Sequence, residues 1–211
     1  MDSTILILMY AVIALAGTRI PYLRVFLSLC NTIVYEVIYV CLEGGVTNKI
    51  KLHKDGLGTT TNTGTSPFKK ALIGYAGYTG TSIAAIGLFF LVSKGSYHLV
   101  IYIFIGLLVS SLLLWIRNLF GFIWGITFVS LLVLPLYFRF ELVITHTSIF
   151  LASILFTQSI LNALRVCKQS FLARENTTFA KIKMLPSFIL GLVLFAQSLY
   201  GGYFIFKNFL N

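Results

Sequence analysis

Acidic residues are scarce in this chain. Six of its 211 residues are Asp or Glu, against sixteen Lys or Arg, and all charged types together make up only 10%. That is too little charge to cover the surface of a water-soluble domain of this length. Cysteine is sparse as well: Cys30, Cys41 and Cys167 are scattered and form no C-x-x-C pair, which points to free thiols and excludes a disulfide frame. The sequence has no Walker loop, no G-x-G-x-x-G, no Ser-His pair on a plausible common face and no nucleic-acid module. Its N-terminus has no basic n-region and no A-x-A-like cleavage site, so the first apolar run is expected to be a retained span.

What the chain does have is apolar length. It is 58% hydrophobic with a mean hydropathy of +0.92, the balance of an integral membrane protein. A helix needs about 20 apolar residues to cross a bilayer, and only helices or closed barrels satisfy their backbones there. Spans are expected at Thr4–Gly17, Tyr22–Leu42, Ala71–Val92, Tyr97–Ile116, Leu119–Phe138, Leu142–Leu164 and Leu185–Phe206. The first is short, either a span of its own or a kinked continuation past Pro21, so six or seven helices are expected. The fold class is therefore an all-α polytopic membrane protein, one membrane domain over residues 1–211.

The net charge of +10 sits in short breaks between these runs, which suits lipid headgroups and the positive-inside bias better than nucleic acid. With seven alternating spans and a cytoplasmic N-terminus, the inner segments hold Lys49, Lys51, Lys54, Lys69, Lys70, Arg117, Arg165, Lys168, Arg174, Lys181 and Lys183. The outer ones keep Arg19, Arg24, Lys94, Arg139 and Lys207. One segment fits no span. Gly44 to Pro67 alternates apolar and polar residues around Ile50 and Leu52, reaches the turn Lys54-Asp55-Gly56, and continues into a Thr-rich run. It predicts a β-hairpin at the cytoplasmic membrane surface; a flexible polar linker is the alternative, since Gly, Thr and Asn also form loops.

The chemistry-bearing stretch is NTIVYEVIYVCLEGGV, which places Glu36 inside an apolar helix between Tyr35 and Tyr39. An intramembrane carboxylate costs about 2.5–3.5 kcal/mol on insertion scales and by default marks a functional or structural polar site. The spacing is that of H-E-x-x-H with both histidines replaced. In that motif the two imidazoles lie one turn apart on a zinc ion, and the glutamate takes a proton from the zinc-bound water. Tyr35 and Tyr39 keep the geometry but not the chemistry, because a phenol ionises only near pH 10. As a polar anchor instead, Glu36 would hydrogen-bond a tyrosine hydroxyl or a facing Asn or Arg.

Five pieces recur in order: NTIVYEVIYVCLEGGV, IKLHKDGLGTT, KKALIGYAGYTG, WIRNLFG and FAKIKMLP. Together, over Leu29 to Leu194, they resemble the site-2-protease-like intramembrane zinc metallopeptidases, in their short bacterial branch. That branch reads H-E-x-G-H-A, then G-G, a strand pair with D-x-x-G, A-G-Y-x-G, R-N-x-F-G and a closing L-P. The resemblance puts Tyr35 and Tyr39 on the two zinc-histidine positions and Glu36 on the general-base position. Ile38 stands where the family has glycine. It implies a polar pocket near Arg117, Asn118 and Glu175, and a hairpin (Ile50, Leu52, Asp55, Gly56, Gly58) that presents an extended substrate by strand addition. It also implies a bacterial cytoplasmic membrane.

With both histidines gone, the expectation is a pseudoprotease without metal or other cofactor. It would hold another membrane protein or peptide, surrounded by lipid and without nucleic acid. An active hydrolase using zinc through Glu36, Glu175 and His53 is the second possibility. A proton-coupled small-molecule transporter ranks last, because no internal repeat is evident. His98 and His146 fall near outer span ends, away from His53. Gly74, Gly77, Gly80, Gly87, Ala84 and Ala85 suggest a close-packing helix face, Asn118 a helix cap, Arg117 a snorkelling cation, and Gln158 with Asn162 hydrogen bonds across helices.

Overall fold

The computed structural model describes residues 3–44, 49–61, 67–172, 187–205 and 207. Removed from water, a backbone must bond to itself, and the apolar runs do so as helices. Among the described residues these are α1 (Ser3–Gly17), α2 (Pro21–Glu43), α3 (Pro67–Ser93), α4 (Tyr97–Leu114), α5 (Leu119–Tyr137), α6 (Glu141–Leu172) and α7 (Ser187–Ile205). Five, α2 to α6, contain a stretch long and apolar enough to span a membrane. The expected all-α architecture with a hairpin is present. Its bounds differ in places: α3 begins at Pro67 instead of Ala71, and α6 continues past Leu164 to Leu172. The first helix is not continuous with the second. Thr18 and Arg19 close a turn on the carbonyls of Leu15 and Ala16, and α2 restarts with Pro21 in its first turn, where a missing N–H costs nothing.

Strands β1 (Lys49–Leu52) and β2 (Gly58–Thr61) pair antiparallel, with Lys49 opposite Thr61 and Leu52 opposite Gly58. Asp55 shapes the loop by accepting the Leu57 N–H at 2.9 Å, and Gly56 takes φ 84°, a value that favours glycine. The alternation of an antiparallel ladder turns the amides of Ile50 and Leu52 away from β2. They are taken by the connector between α4 and α5. Ile50 N–H donates to Trp115 O at 2.9 Å and Arg117 N–H to Ile50 O at 3.3 Å. The Asn118 side chain donates to Leu52 O at 2.6 Å and accepts from Leu52 N–H at 3.1 Å. Asn118 does occupy the N-cap position of α5, but it makes no cap bond because its amide clamps β1. Arg117 extends into the open with its guanidinium 3.4 Å from Leu114 O.

Side chains alternate across the hairpin. Ile50 and Leu52 are buried, while Lys49, Lys51, His53 and Thr59 are exposed. Burying the two aliphatic side chains is worth about 1.5–3 kcal/mol each relative to water. The hairpin is therefore built into the bundle by one face, not laid loosely on its surface.

Strict alternation of seven spans does not hold. Tyr10 of α1 lies 2.9 Å from His146 Nδ1 and its ring meets Phe150, both early in α6. Further along, Val12 and Leu15 line a groove with Leu161 and Leu164. The two helices run side by side in the same direction, whereas four alternating spans between them would have opposed them. Arg19 and Arg24, expected across the membrane from Arg165, line one cavity with it.

Interhelical polar contacts come from residues other than the expected pair. Ser82 and Ser159 meet at 2.7 Å, and Thr79 donates to Gln197 at 3.3 Å. Asn162 instead accepts from Arg165 on its own helix, and Gln158 Oε1 is buried with no partner among the described residues. The small-residue face of α3 is used in part. A Cβ on Gly77 would sit 2.6 Å from the Tyr35 ring and one on Gly80 2.6 Å from Ile38, but Gly87 faces open space.

Candidate functional site

Glu36 lies on a polar stripe that α2 carries through apolar surroundings. Ser28, Thr32 and Glu36 recur every fourth residue, which puts them on one face. The hairpin lies along that face. Ser28 and Thr32 hydroxyls both donate to Gly56 O, at 3.1 and 2.8 Å, and the Thr60 hydroxyl donates to Glu36 Oε2. Two glycines permit the approach. A Cβ on Gly56 would stand 2.9 Å from Ser28 Cβ, and one on Gly58 would stand 2.5 Å from Glu36 Oε1 and 2.7 Å from its Cγ. The expected partner of Glu36 was a tyrosine, Asn or Arg. The bond goes to Thr60, which period-2 alternation places on the same inner face as Ile50.

Tyr35 and Tyr39 stay one turn apart, with ring centroids 6.1 Å from each other, and Tyr35 packs closer to Tyr78 of α3, at 4.7 Å. Glu36 is 5% exposed. Beside it a cavity of about 230 Å³ is walled by Ser28, Asn31, Tyr35, Tyr78, Asn162 and Arg165, with Thr32, Leu57, Gly58 and Val166 completing it. Asn31 Oδ1 has no partner among the described residues, so the wall holds an unsatisfied acceptor. Arg165 brings a guanidinium to the same wall.

The other expected site residues are not gathered here. Asn118 acts at a distance, by fixing β1; Arg117 contributes its backbone to the same strand. His53 projects from the outer face of the hairpin, 2.8 Å from Thr59 Oγ1, opposite the face that covers Glu36. His146 is paired with Tyr10, and His98 lies 3.5 Å from Glu141. Glu175 lies outside the described residues. Sequence reasoning missed Thr60, Ser28, Thr32, Asn31, Tyr78 and Arg165 as parts of the site. The fourth-residue stripe of α2 was the available signal for two of them.

A family model for peptidase M50B-like proteins matches residues 6–204. The chain belongs to the peptidase M50B-like family. It is thus a site-2-protease-like membrane protein. No curated protein and no solved structure matches it.

An M50B-like chain raises the question of zinc, which is held by His, Cys or carboxylate ligands with one position left open. The groups around Glu36 do not fit that ion. Among the described residues the cavity is lined by phenols, hydroxyls and amides with one cation, Arg165, and Glu36 itself is engaged by Thr60. Among the described residues no three His, Cys, Asp or Glu side chains come together.

Proposed function

We propose that this M50B-like protein is a non-proteolytic member of its family that holds an extended segment of another membrane protein beside Glu36. The observation that carries the reading is the surroundings of Glu36: tyrosines stand one residue before it and three after, its carboxylate is bonded to Thr60, and Tyr35, Tyr78 and Arg165 line the adjoining cavity. Such a set binds polar peptide groups and disfavours a dication. The partner's route is the outer edge of β2. By the ladder's alternation, the backbone groups of Gly58 and Thr60 point away from β1, and no described residue takes them. A strand added there would satisfy those groups and lay alternate side chains over α2 next to Glu36.

A photo-crosslinker at exposed Thr59 tests this in native membranes. The expected product is an adduct with an intact membrane protein, absent when the crosslinker is moved to Tyr137 at the other end of the bundle. Recovery of a cleaved fragment whose formation requires Glu36 would contradict the proposal.

The location we propose is a bacterial cytoplasmic membrane, with the hairpin end inside. Among the described residues, the basic side chains at the opposite end are Lys94, Arg139 and Lys207, while Arg19, Arg24, Lys54, Arg117 and Arg165 gather near the hairpin end. The positive-inside bias then favours a cytoplasmic hairpin. Because α1 runs parallel to α6, the N-terminus falls outside, not inside as alternation implied. In a background with Cys30, Cys41 and Cys167 replaced by serine, a cysteine at Ser96 should label from outside intact cells and one at Lys54 should not. The reverse pattern would overturn the orientation.

A further inference from the structure

The bundle has a second concave feature, which the Glu36 site does not use. Where α1 gives way to α2, a cavity of about 460 Å³ is lined by Arg19, Arg24 and Arg165, with Thr18 at its rim. Three arginines line the one cavity, and no carboxylate among the described residues pairs with any of them. Unneutralised, they would repel one another. Beside it runs a groove of about 340 Å³ between α1 and α6, walled by Ala11, Val12, Leu15, Phe156, Ile160 and Leu164. The two features share Val12, Leu15 and Leu161, so they form one surface with a cationic end and an apolar arm. The arm leads from Leu164 back to Phe156, about 12 Å along the helix at 1.5 Å per residue. That is away from the arginines and toward the middle of the membrane.

We propose that this surface is a binding site for one anionic phospholipid, its phosphate held by Arg19, Arg24 and Arg165 and an acyl chain lying in the α1–α6 groove. Charge complementarity selects the headgroup, since guanidinium forks match phosphate oxygens. The direction of the groove selects a lipid over a free anion, because a headgroup at the bundle's end sends its chains inward along this path. Arg165 also walls the Glu36 cavity, so the bound phosphate would neutralise a charge shared by the two sites.

The test uses the full chain in detergent and native mass spectrometry, titrated with dioleoyl phosphatidylglycerol, dioleoyl phosphatidylcholine or glycerol 3-phosphate. One phosphatidylglycerol should bind per chain, with phosphatidylcholine and glycerol 3-phosphate much weaker. Arg19→Gln and Arg24→Gln, at exposed positions, should each weaken phosphatidylglycerol about fivefold. Arg24→Lys should retain most of the affinity, which separates charge from folding. Ile160→Trp, filling the arm and not the arginine-lined cavity, should weaken the phospholipid and leave any glycerol 3-phosphate binding unchanged. Equal binding of the two phospholipids, or glutamine variants that bind phosphatidylglycerol as wild type does, would overturn the proposal. Glycerol 3-phosphate binding as tightly as the lipid would also overturn it, by reducing the site to an anion pocket.

Discussion

Gly58→Val is expected to unseat the hairpin from α2. The new Cβ would meet Glu36 at 2.5 Å from Oε1, 2.7 Å from Cγ and 2.9 Å from Cδ. A free carboxylate could swing aside, but this one is bonded to Thr60, two residues further along β2. Moving it breaks that bond, and moving β2 strains the contacts of Gly56 with Ser28 and Thr32. Overpacking of this kind costs about 1–3 kcal/mol. The measurement is thermal unfolding in detergent, with limited proteolysis at Lys51 and Lys54 as the local readout. Lys51 in β1 and Lys54 in the turn should become cleavable, and the melting temperature should fall by several degrees. Gly87→Ala is the control: nothing lies within 4 Å of its would-be Cβ, and alanine suits a helix better by about 1 kcal/mol. Its stability should hold or rise. Equal behaviour of the two variants would mean that the close approach at Gly58 is not a constraint.

Glu36→Leu should destabilise the same junction from the other side. The part-buried Thr60 hydroxyl would lose its acceptor, at a cost of about 1 kcal/mol. Glu36→Gln preserves the shape and an oxygen that can accept from Thr60, so it should leave both melting temperature and the Thr59 crosslink near wild type. The pair of substitutions separates anchoring from charge. If glutamine leaves the protein folded but abolishes partner capture, the carboxylate acts by its charge or by proton transfer, and the anchor account of Glu36 is wrong.

Much of the fold was legible because a bilayer enforces it. Apolar runs such as Tyr97–Leu114 and Leu119–Tyr137 have no stable alternative to a helix, and their ends were marked by polar breaks. The hairpin was legible through the alternation around Ile50 and Leu52 and the Asp55-Gly56 turn. What stayed hidden were contacts between distant segments. Asn118 reads as a helix cap in its local sequence, and nothing near it reveals that β1 will arrive with an unpaired carbonyl at Leu52. The same holds for Thr60, one of several threonines in a polar run, until the register sets it opposite Ile50 and over Glu36. The direction of α1 escaped because counting spans assumes that each connection returns at the face where it left. Here the chain between α2 and α3 carries a hairpin packed into the bundle. Of the site, Glu36 was legible as a costly charge, whereas the arginine beside it was not. Arg165 lies at the end of an apolar run, where a snorkelling residue is the ordinary expectation.

The central claim is that tyrosines at positions 35 and 39, with Arg165 in the cavity wall, leave Glu36 in a site that does not hold zinc. The direct test is elemental analysis of the full chain, purified without chelator after growth in zinc-sufficient medium. The account predicts far less than one zinc per chain, with the same trace level in Glu36→Gln. Stoichiometric zinc that disappears in Glu36→Gln would contradict it and make this chain a metallopeptidase with an unfamiliar ligand set.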